Sequence, residues 1–333
     1  MDYVAMGRTG VRVSRLALGT MAFGGPADEA MSAAIFARAR DAGINHFDCA
    51  DVYNGGRAEE ILGRLVRGVR DEVVLTTKAF FPTSSDPNAR GSSRYHLVRA
   101  VDASLRRLGT DRIDVFYLHR FDDHTALEET LRAVDDLVAQ GKILYPAVSN
   151  FSAWETMKTL GAQERRGFVP VAAMQPMYNL VKRQAEVELL PMARAEGLAV
   201  FPYGPLGGGL LSGRYGAERR PDRGRLVDNA MYATRYGLPE YYATTERFLA
   251  LAAELGLHPV SLAIAWVASH PAVTAPLLGP RTVEQLEPAL ASLAVPMTPE
   301  LRARIDALSP TPPPATDRNE EATGHHYAAQ LTK

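Results

Sequence analysis

Residues 43–63 read GINHFDCADVYNGGRAEEILG. The apolar run before Asp48 predicts a short strand, and Tyr53 follows in the loop after it. Two later runs have the same design, since DEVVLTTK ends at Lys78 and RIDVFYLH ends at His119. The carboxyl ends of parallel strands meet at one face of a barrel or one edge of a sheet. The pattern therefore predicts that these four polar side chains share one site.

The rest of the chain repeats a unit of amphipathic helix, glycine and short apolar strand. Gly43, Gly109, Gly141 and Gly197 suit the left-handed residue that ends a helix. The predicted strands are residues 16–19, 45–48, 73–77, 113–118, 143–148, 171–175, 198–203 and 275–278. Eight such units predict an α/β fold made of a single closed (β/α)8 barrel, the TIM barrel.

Segments outside the eight units predict additions to the barrel. Residues 3–6 and 11–15 flank the turn sequence GRTG and predict an N-terminal β-hairpin that caps the barrel bottom. Residues 212–240 are rich in glycine, arginine and proline, and predict a long loop near the C-terminus, with extra helices around it. The barrel is expected to occupy residues 1–308, and residues 309–333 are expected to form a mobile tail.

Side chains with capping potential mark where several helices begin. Ser152 with Glu155, and Thr125 with Glu128, predict capping boxes. Thr298 stands before a proline and predicts a cap followed by a first-turn proline.

Composition limits the classes of protein to which the chain can belong. It has 333 residues, 46% of them apolar and 23% charged, which is ordinary for a globular protein. A net charge of -1 argues against a nucleic-acid or membrane-surface partner. A single cysteine, Cys49, allows no intramolecular disulfide and indicates a reducing compartment. With no secretory signal and no long apolar run in the sequence, we expect a cytoplasmic protein whose oligomeric state stays open.

The four strand-end residues form a consistent set for proton chemistry at a carbonyl oxygen. A phenol has a pKa of about 10, and a nearby ammonium lowers it by stabilising the phenolate. A carboxylate holds that ammonium in place, and a neutral imidazole donates a hydrogen bond that polarises a carbonyl. The set offers no nucleophile–base pair and no metal triad. It also contains no source of electrons for reducing a carbonyl, so a cofactor must supply a hydride.

Each of these residues also has an ordinary structural explanation. Asp48 alone could cap a helix or join a buried ion pair, and Tyr53 alone could be a half-buried aromatic. Lys78 could extend from the barrel rim, and His119 could be a satisfied structural histidine. The structural explanations predict no shared location, whereas the catalytic hypothesis does.

The motifs resemble those of the aldo-keto reductase family. RTGVRVSRLALGTMAFG resembles the family's opening hairpin and first strand, and residues 43–63 resemble its first signature. DASLRRLGTDRIDVFYLHRFD resembles the second signature, and GKILYPAVSNF and MQPMYNL resemble its later cofactor-side motifs. The resemblance runs from about Met6 to Leu293. It implies a barrel that binds NADPH or NADP+ in extended form without a Rossmann domain, with NADH as the alternative cofactor, and no G-x-G-x-x-G follows a strand here.

The resemblance implies a role for each of the four residues, which we call the tetrad. Tyr53 would be the general acid, Lys78 its tuner, Asp48 the partner of Lys78, and His119 the group that orients the carbonyl. Implied cofactor contacts are Gly19, Thr20, Met21, Asp48, Ser149, Asn150, Gln175, Tyr203, Gly204, Pro205, Leu206, Gly207, Gly279, Arg281 and Gln285.

Within this set the nicotinamide end and the adenosine end have different members. Ser149, Asn150 and Gln175 match the residues that hold the nicotinamide carboxamide, and Tyr203 matches the aromatic on which the ring stacks. The run GPLGGG, residues 204–209, resembles the loop along the pyrophosphate, and a flexible hinge is its structural alternative.

At the adenosine end the match is less complete. Arg281 suits a 2′-phosphate because a guanidinium binds phosphate in a bidentate fashion, although it could also be a surface residue at a helix start. Gln285 suits contact with the adenosine. Many relatives continue with Glu-Asn, whereas this chain has Pro288 and Ala289.

Aromatic residues near the strand ends predict the substrate side. Phe23, Phe80 and Phe121, together with Tyr53 and His119, are the expected substrate contacts, as an apolar or sugar-stacking wall. Some of the phenylalanines could instead pack the rim. Nothing here separates aldehydes, ketones, sugars and polyketide-like compounds.

The sequence therefore predicts an NADPH-dependent carbonyl reductase with a small-molecule carbonyl substrate and no metal. One alternative is a reductase-like binding module, either an auxiliary subunit of a membrane channel or a redox sensor. Another is a hydrolase barrel that uses Asp48 and Asp51 as its acid and base.

Overall fold

The computed structural model describes residues 1–216 and 219–323. The strands of this part of the chain are β1 (Tyr3–Ala5), β2 (Arg12–Ser14), β3 (Ala17–Gly19), β4 (His46–Asp48), β5 (Val74–Ala79), β6 (Ile113–Leu118), β7 (Ile143–Ser149), β8 (Ala173–Gln175), β9 (Ala199–Val200) and β10 (Leu277–Leu278). Strands β3 to β10 correspond one to one with the eight predicted strands. The most shortened is β9, which keeps two residues of the predicted run 198–203.

The eight strands form one parallel sheet in the order β10-β3-β4-β5-β6-β7-β8-β9. Backbone hydrogen bonds from Thr274 N to Val200 O (2.9 Å) and from Leu277 N to Pro202 O (2.9 Å) join its two ends. The sheet therefore curls into the predicted (β/α)8 barrel.

The predicted N-terminal hairpin is present and lies at the barrel bottom. Strands β1 and β2 pair antiparallel, with Val4 opposite Val13. Met6 and Val13 are completely buried in the apolar cluster that fills the barrel interior. The hairpin thus closes the end of the barrel that lies opposite the strand carboxyl ends.

Helices surround the barrel: α1 (Glu29–Asp41), α2 (Arg57–Val66), α3 (Arg94–Leu108), α4 (Leu127–Ala139), α5 (Ala153–Arg166), α6 (Leu189–Glu196), α7 (Arg225–Asp228), α8 (Ala230–Tyr236), α9 (Pro239–Glu254), α10 (Pro259–Ala268), α11 (Val283–Leu290) and α12 (Pro299–Asp306). A second and larger apolar cluster lies between them and the sheet. Taken singly, none of the described helices has the length and apolar character to cross a membrane. The pair α9 and α10 passes that test jointly, by length and composition only, with a bend of 104° between them.

Two of the three predicted helix starts are confirmed. Ser152 forms the capping box of α5, and the Thr298 side chain caps α12. The prediction at Thr125 is wrong, because α4 begins at Leu127 without a side-chain cap. The Thr125 hydroxyl instead donates to the Asp122 carboxylate at 2.8 Å, a charged acceptor that competes successfully with the helix N-terminus.

The long segment between β9 and β10 is more regular than predicted. The expected loop over residues 212–240 contains α7 and α8, and Ala217 and Glu218 lie outside the described residues. In the tail, a short 3₁₀ turn covers Asn319–Ala322. Residues 324–333 lie outside the described residues, so the mobility of the tail stays a prediction.

Candidate functional site

The barrel places the tetrad at the carboxyl ends of three adjacent strands. Asp48 is the last residue of β4, Lys78 lies near the end of β5, and His119 directly follows β6. Tyr53 begins a short turn, Tyr53–Gly56, in the loop after β4. All four therefore lie at the mouth of the barrel, as the sequence pattern predicted.

Lys78 and Asp48 form a buried ion pair, and both residues have additional hydrogen-bond partners. Lys78 is completely buried, and its Nζ donates to Asp48 Oδ2 at 2.5 Å and to the Cys49 carbonyl at 2.7 Å. The other Asp48 oxygen accepts hydrogen bonds from Thr76 Oγ1 (2.7 Å) and Gln175 Nε2 (2.9 Å). A buried ion pair is stable only with such additional partners, and this one has them.

Tyr53 lies beside this pair. Lys78 Nζ is 5.3 Å from the centroid of the Tyr53 ring, and the rings of Tyr53 and His119 meet edge to face at 6.2 Å. Burial raises the pKa of Tyr53 well above its ordinary value, and Asp48 raises it further. This direction is opposite to the one expected from Lys78 alone, because burial of the phenol outweighs the effect of the nearby ammonium. The phenol is therefore protonated at neutral pH, which is the form that can donate a proton.

The turn that carries Tyr53 has an uncommon backbone. Asn54, Gly55 and Gly56 all have positive φ, at 50°, 64° and 89°. The Asn54 side-chain amide donates to the carbonyls of Met21 (3.0 Å) and Phe23 (2.8 Å) in the loop after β3. Asparagine and glycine tolerate the left-handed conformation, and the two hydrogen bonds hold the turn in place.

His119 is held in its neutral form. Burial, together with the nearby Lys78 charge, lowers its pKa to about 3. Its Nδ1 is buried and has no hydrogen-bond partner in the described part of the chain. Phe81 packs edge to face against the ring at 4.9 Å. A neutral imidazole carries one N–H, so His119 can donate a single hydrogen bond to a ligand.

The predicted nicotinamide contacts are joined to the tetrad by hydrogen bonds. Ser149 Oγ donates to the Gln175 carbonyl at 3.0 Å. Asn150, which has φ of 57°, donates from Nδ2 to the His119 carbonyl at 3.0 Å. The Tyr203 hydroxyl donates to Asn150 Oδ1 at 2.8 Å, which fixes the edge of that ring.

The other predicted cofactor residues lie around the same mouth, at the end of β3 and in the segments that follow β3, β9 and β10: Gly19, Thr20, Met21, Gly204, Pro205, Leu206, Gly207, Gly279, Arg281 and Gln285. Thr20 Oγ1 donates to the Asp48 carbonyl at 2.9 Å, whereas Met21 is 42% exposed. Gly204 and Gly207 have φ of 67° and 58°, a conformation that glycine adopts without strain.

At the predicted adenosine end the structure brings together three arginines. Burial lowers the pKa of Arg281, and the charges of Arg225 and Arg214 lower it further. The Arg281 amide donates to Gln285 Oε1 at 3.0 Å, just before α11 begins. The sequence motif indicated Arg281 alone. Arg214 and Arg225 lie in the segment predicted to be a loop, where the richness in arginine was their only signal.

On the substrate side, aromatic residues line the mouth next to His119. The rings of Phe80 and Phe81 are 5.3 Å apart, and Phe121 lies 6.0 Å from Trp154, which is 61% exposed. Phe23 does not join them, because it is completely buried in the outer apolar cluster. Trp154, at the start of α5, was not expected from the sequence, where it appears as one more helix residue.

The carboxylate pair of the hydrolase alternative is not arranged for acid–base work on a substrate. Asp48 is engaged by Lys78, and both oxygens of Asp51 are buried without a hydrogen-bond partner among the residues described. Across residues 1–216 and 219–323, no three acidic, histidine or cysteine side chains are grouped so that they could hold a metal ion.

The barrel and the groups at its mouth define an NAD(P)H-dependent oxidoreductase. The chain belongs to the aldo/keto reductase family, whose model matches residues 15–310.

Similar proteins cover almost the whole chain. An uncharacterised oxidoreductase of Bacillus subtilis is 38% identical over 94% of this chain and 97% of its own length. A probable voltage-gated potassium channel subunit beta of rice is 36% identical over 95% of this chain and 99% of its own. The versiconal hemiacetal acetate reductase of Aspergillus parasiticus is 34% identical over 90% of this chain and 94% of its own length.

Proposed function

We propose that this protein is an NADPH-dependent carbonyl reductase that acts on small aldehydes or ketones. The observation that carries the proposal is the buried Lys78–Asp48 ion pair, with its additional hydrogen bonds, beside the rings of Tyr53 and His119. Reduced nicotinamide, when bound, supplies the hydride that the side chains cannot provide.

In this proposal Tyr53 donates its proton to the carbonyl oxygen as the bond order of the carbonyl falls. Its high pKa keeps the proton in place until negative charge develops on that oxygen. Lys78, close to the ring, then stabilises the phenolate that remains. His119 donates a hydrogen bond to the same oxygen and so fixes the orientation of the substrate.

The residues at the mouth fit a nicotinamide. Ser149, Asn150 and Gln175 place hydroxyl and amide groups at the ends of neighbouring strands, where they could hold a carboxamide. Tyr203, tied to Asn150, offers a ring against which the nicotinamide could stack. Through Gln175 and Asp48 this side is linked directly to Lys78.

The arginine cluster favours NADPH over NADH. Three guanidinium groups that repel one another gain most from an anion placed between them. The 2′-phosphate is the group that distinguishes the two cofactors, and Arg281, Arg225 and Arg214 would bind it with charge-assisted hydrogen bonds.

Substrate specificity would come from the aromatic wall. Phe81 packs against the His119 ring and Phe80 packs against Phe81, while Phe121 lies two residues after His119 and packs against Phe151. An apolar wall beside one hydrogen-bonding oxygen site fits a carbonyl compound with an apolar or aromatic substituent.

The test is a panel of aldehydes and ketones, followed by the decrease in NADPH absorbance, for the wild type and for Tyr53→Phe. We expect Tyr53→Phe to lose most turnover and to keep its NADPH affinity in a fluorescence titration. The matched control is Tyr95→Phe, which removes a hydroxyl from a residue that is 62% exposed on α3. Near-normal turnover by Tyr53→Phe on a good substrate would show that the assigned role is wrong.

The alternative of a binding module has one observation in its favour, the high identity to proteins named as channel β subunits. It would be preferred if the protein binds NADPH, turns over no carbonyl compound in the panel, and elutes from a sizing column only with a partner protein.

A further inference from the structure

A second buried polar cluster lies behind the strand that carries Lys78, and the proposed reaction does not use it. Alternate residues of a strand point to opposite faces, so Thr77 points away from the barrel interior, which Thr76 and Lys78 face. There the Thr77 hydroxyl donates to Oε1 of Glu59 at 2.6 Å. Glu59 lies on α2 and is completely buried.

Arg107 links this cluster to the turn of Tyr53. Its Nε donates to Glu59 Oε2 at 2.6 Å. Its side chain also lies against Gly56, since a Cβ added there would be 2.8 Å from Arg107 Cδ and 3.0 Å from Nε. Gly56 is the last residue of the turn that begins at Tyr53. We call Thr77, Glu59 and Arg107 the buried network, because they connect β5 with that turn without passing through the barrel.

Asp51 lies next to the buried network and two residues before Tyr53. It is 2% exposed, and its amide donates to the Lys78 carbonyl at 3.1 Å. Neither of its carboxylate oxygens has a hydrogen-bond partner in the described part of the chain. Burial raises the pKa of Asp51 to about 7, and Glu59 contributes in the same direction, while Arg107, the Val52 amide and Lys78 oppose them.

We infer that Glu59 and Arg107 are positioning residues that hold the Tyr53 turn against Lys78, and that Asp51 weakens this hold when it loses its proton. The inference rests on the proposed role of Tyr53. An ionised Asp51 would compete with Glu59 for the Arg107 guanidinium, and Arg107 is the side chain that packs on Gly56. A shift of Arg107 therefore changes the support under the turn.

The sign of the effect follows from the proton balance. Below pH 7 Asp51 is neutral, Arg107 stays with Glu59, and the turn is held. As the pH rises through about 7, Asp51 ionises and the turn is less well held. We therefore expect kcat to fall severalfold over this range, with little change in the affinity for NADPH, because the predicted cofactor contacts other than Asp48 lie outside β5 and the Tyr53 turn.

The decisive variant is Asp51→Asn, which keeps the shape and cannot ionise. We expect its kcat to stay level where that of the wild type falls. Thr77→Val, which removes one hydrogen bond to Glu59 and preserves volume, should lower kcat by about tenfold at unchanged KM and NADPH affinity. A fall in stability with no change in kcat would show that the buried network is merely structural.

A readout that does not depend on turnover separates this inference from the proposed function. In isotope-labelled tyrosine NMR, with the Tyr53 signal assigned by its loss in Tyr53→Phe, we expect the signal to shift as the pH passes about 7 in the wild type and to stay constant in Asp51→Asn. Equal titration in both proteins would overturn the role of Asp51. If Tyr53→Phe were fully active, the proposed function would fail, and the NMR comparison would still decide whether Asp51 controls the turn.

Discussion

Lys78→Met is the perturbation whose cost the structure defines best. It keeps the apolar stem of the side chain and removes the ammonium, so that the Asp48 carboxylate is left buried with hydrogen bonds from Thr76 and Gln175 only. Removing one partner of a buried ion pair typically costs about 3–5 kcal/mol, because the remaining charge is uncompensated.

This cost corresponds to a measurable change in melting temperature. A chain of 333 residues has an unfolding entropy of about 0.7 kcal/mol/K, so a loss of about 3–5 kcal/mol lowers Tm by about 4–7 °C. The assay is thermal unfolding of the cofactor-free protein, followed by circular dichroism, and denaturant unfolding gives the free energy itself.

A matched control and a double variant make the result interpretable. Lys158→Met alters an exposed lysine on α5 and should change the free energy of unfolding by less than about 0.5 kcal/mol. Combining Lys78→Met with Asp48→Asn should cost clearly less than the sum of the single variants, since the two groups interact directly. A cost below about 1 kcal/mol for Lys78→Met, or strict additivity, would refute the description of a buried and coupled pair.

Three further outcomes are expected. Tyr53→Phe should lower kcat by about 10²–10⁴-fold, the usual contribution of a positioned proton donor, and steady-state rates on the best carbonyl substrate decide it. Arg281→Ala and Arg225→Ala should each weaken NADPH about tenfold or more in a fluorescence titration and leave NADH unchanged, and equal losses for both cofactors would remove the 2′-phosphate assignment. The imidazole NMR signals of His119 should not titrate between neutral pH and about 4, because burial lowers its pKa to about 3, and a transition near 6.5 would contradict that burial.

The features that the sequence predicted well are local ones. A strand that ends in a polar residue can be predicted from a few consecutive residues. The carboxyl ends of the parallel strands in a barrel all lie at the same mouth. For this reason Asp48, Lys78 and His119 lie where the pattern put them. The capping box at Ser152 depends on four consecutive residues and was equally legible.

The features that the sequence did not reveal depend on contacts between distant segments. Arg225 approaches Arg281 only because the segment before α8 folds back over the mouth. Phe23, in the loop after β3, is completely buried, although its position near a strand end also suited a residue at the barrel mouth. The direction of the pKa shift at Tyr53 depends first on burial of the phenol and then on the nearby Asp48 carboxylate, and both depend on the three-dimensional structure.

The junction between β10 and β9, which closes the barrel and which we call the seam, has a consequence for local opening of the protein. Both strands contribute only two residues, and the connection between them is the longest in the barrel. A short stretch of paired strand opens at a lower free energy than a long one. The backbone amides of β9 and β10 should therefore exchange with solvent faster than those of β6 and β7. Gly204–Gly207 follow β9 and Gly279 follows β10. In the proposed function, opening of this seam would separate the two segments predicted to bind the dinucleotide and would thereby aid its release.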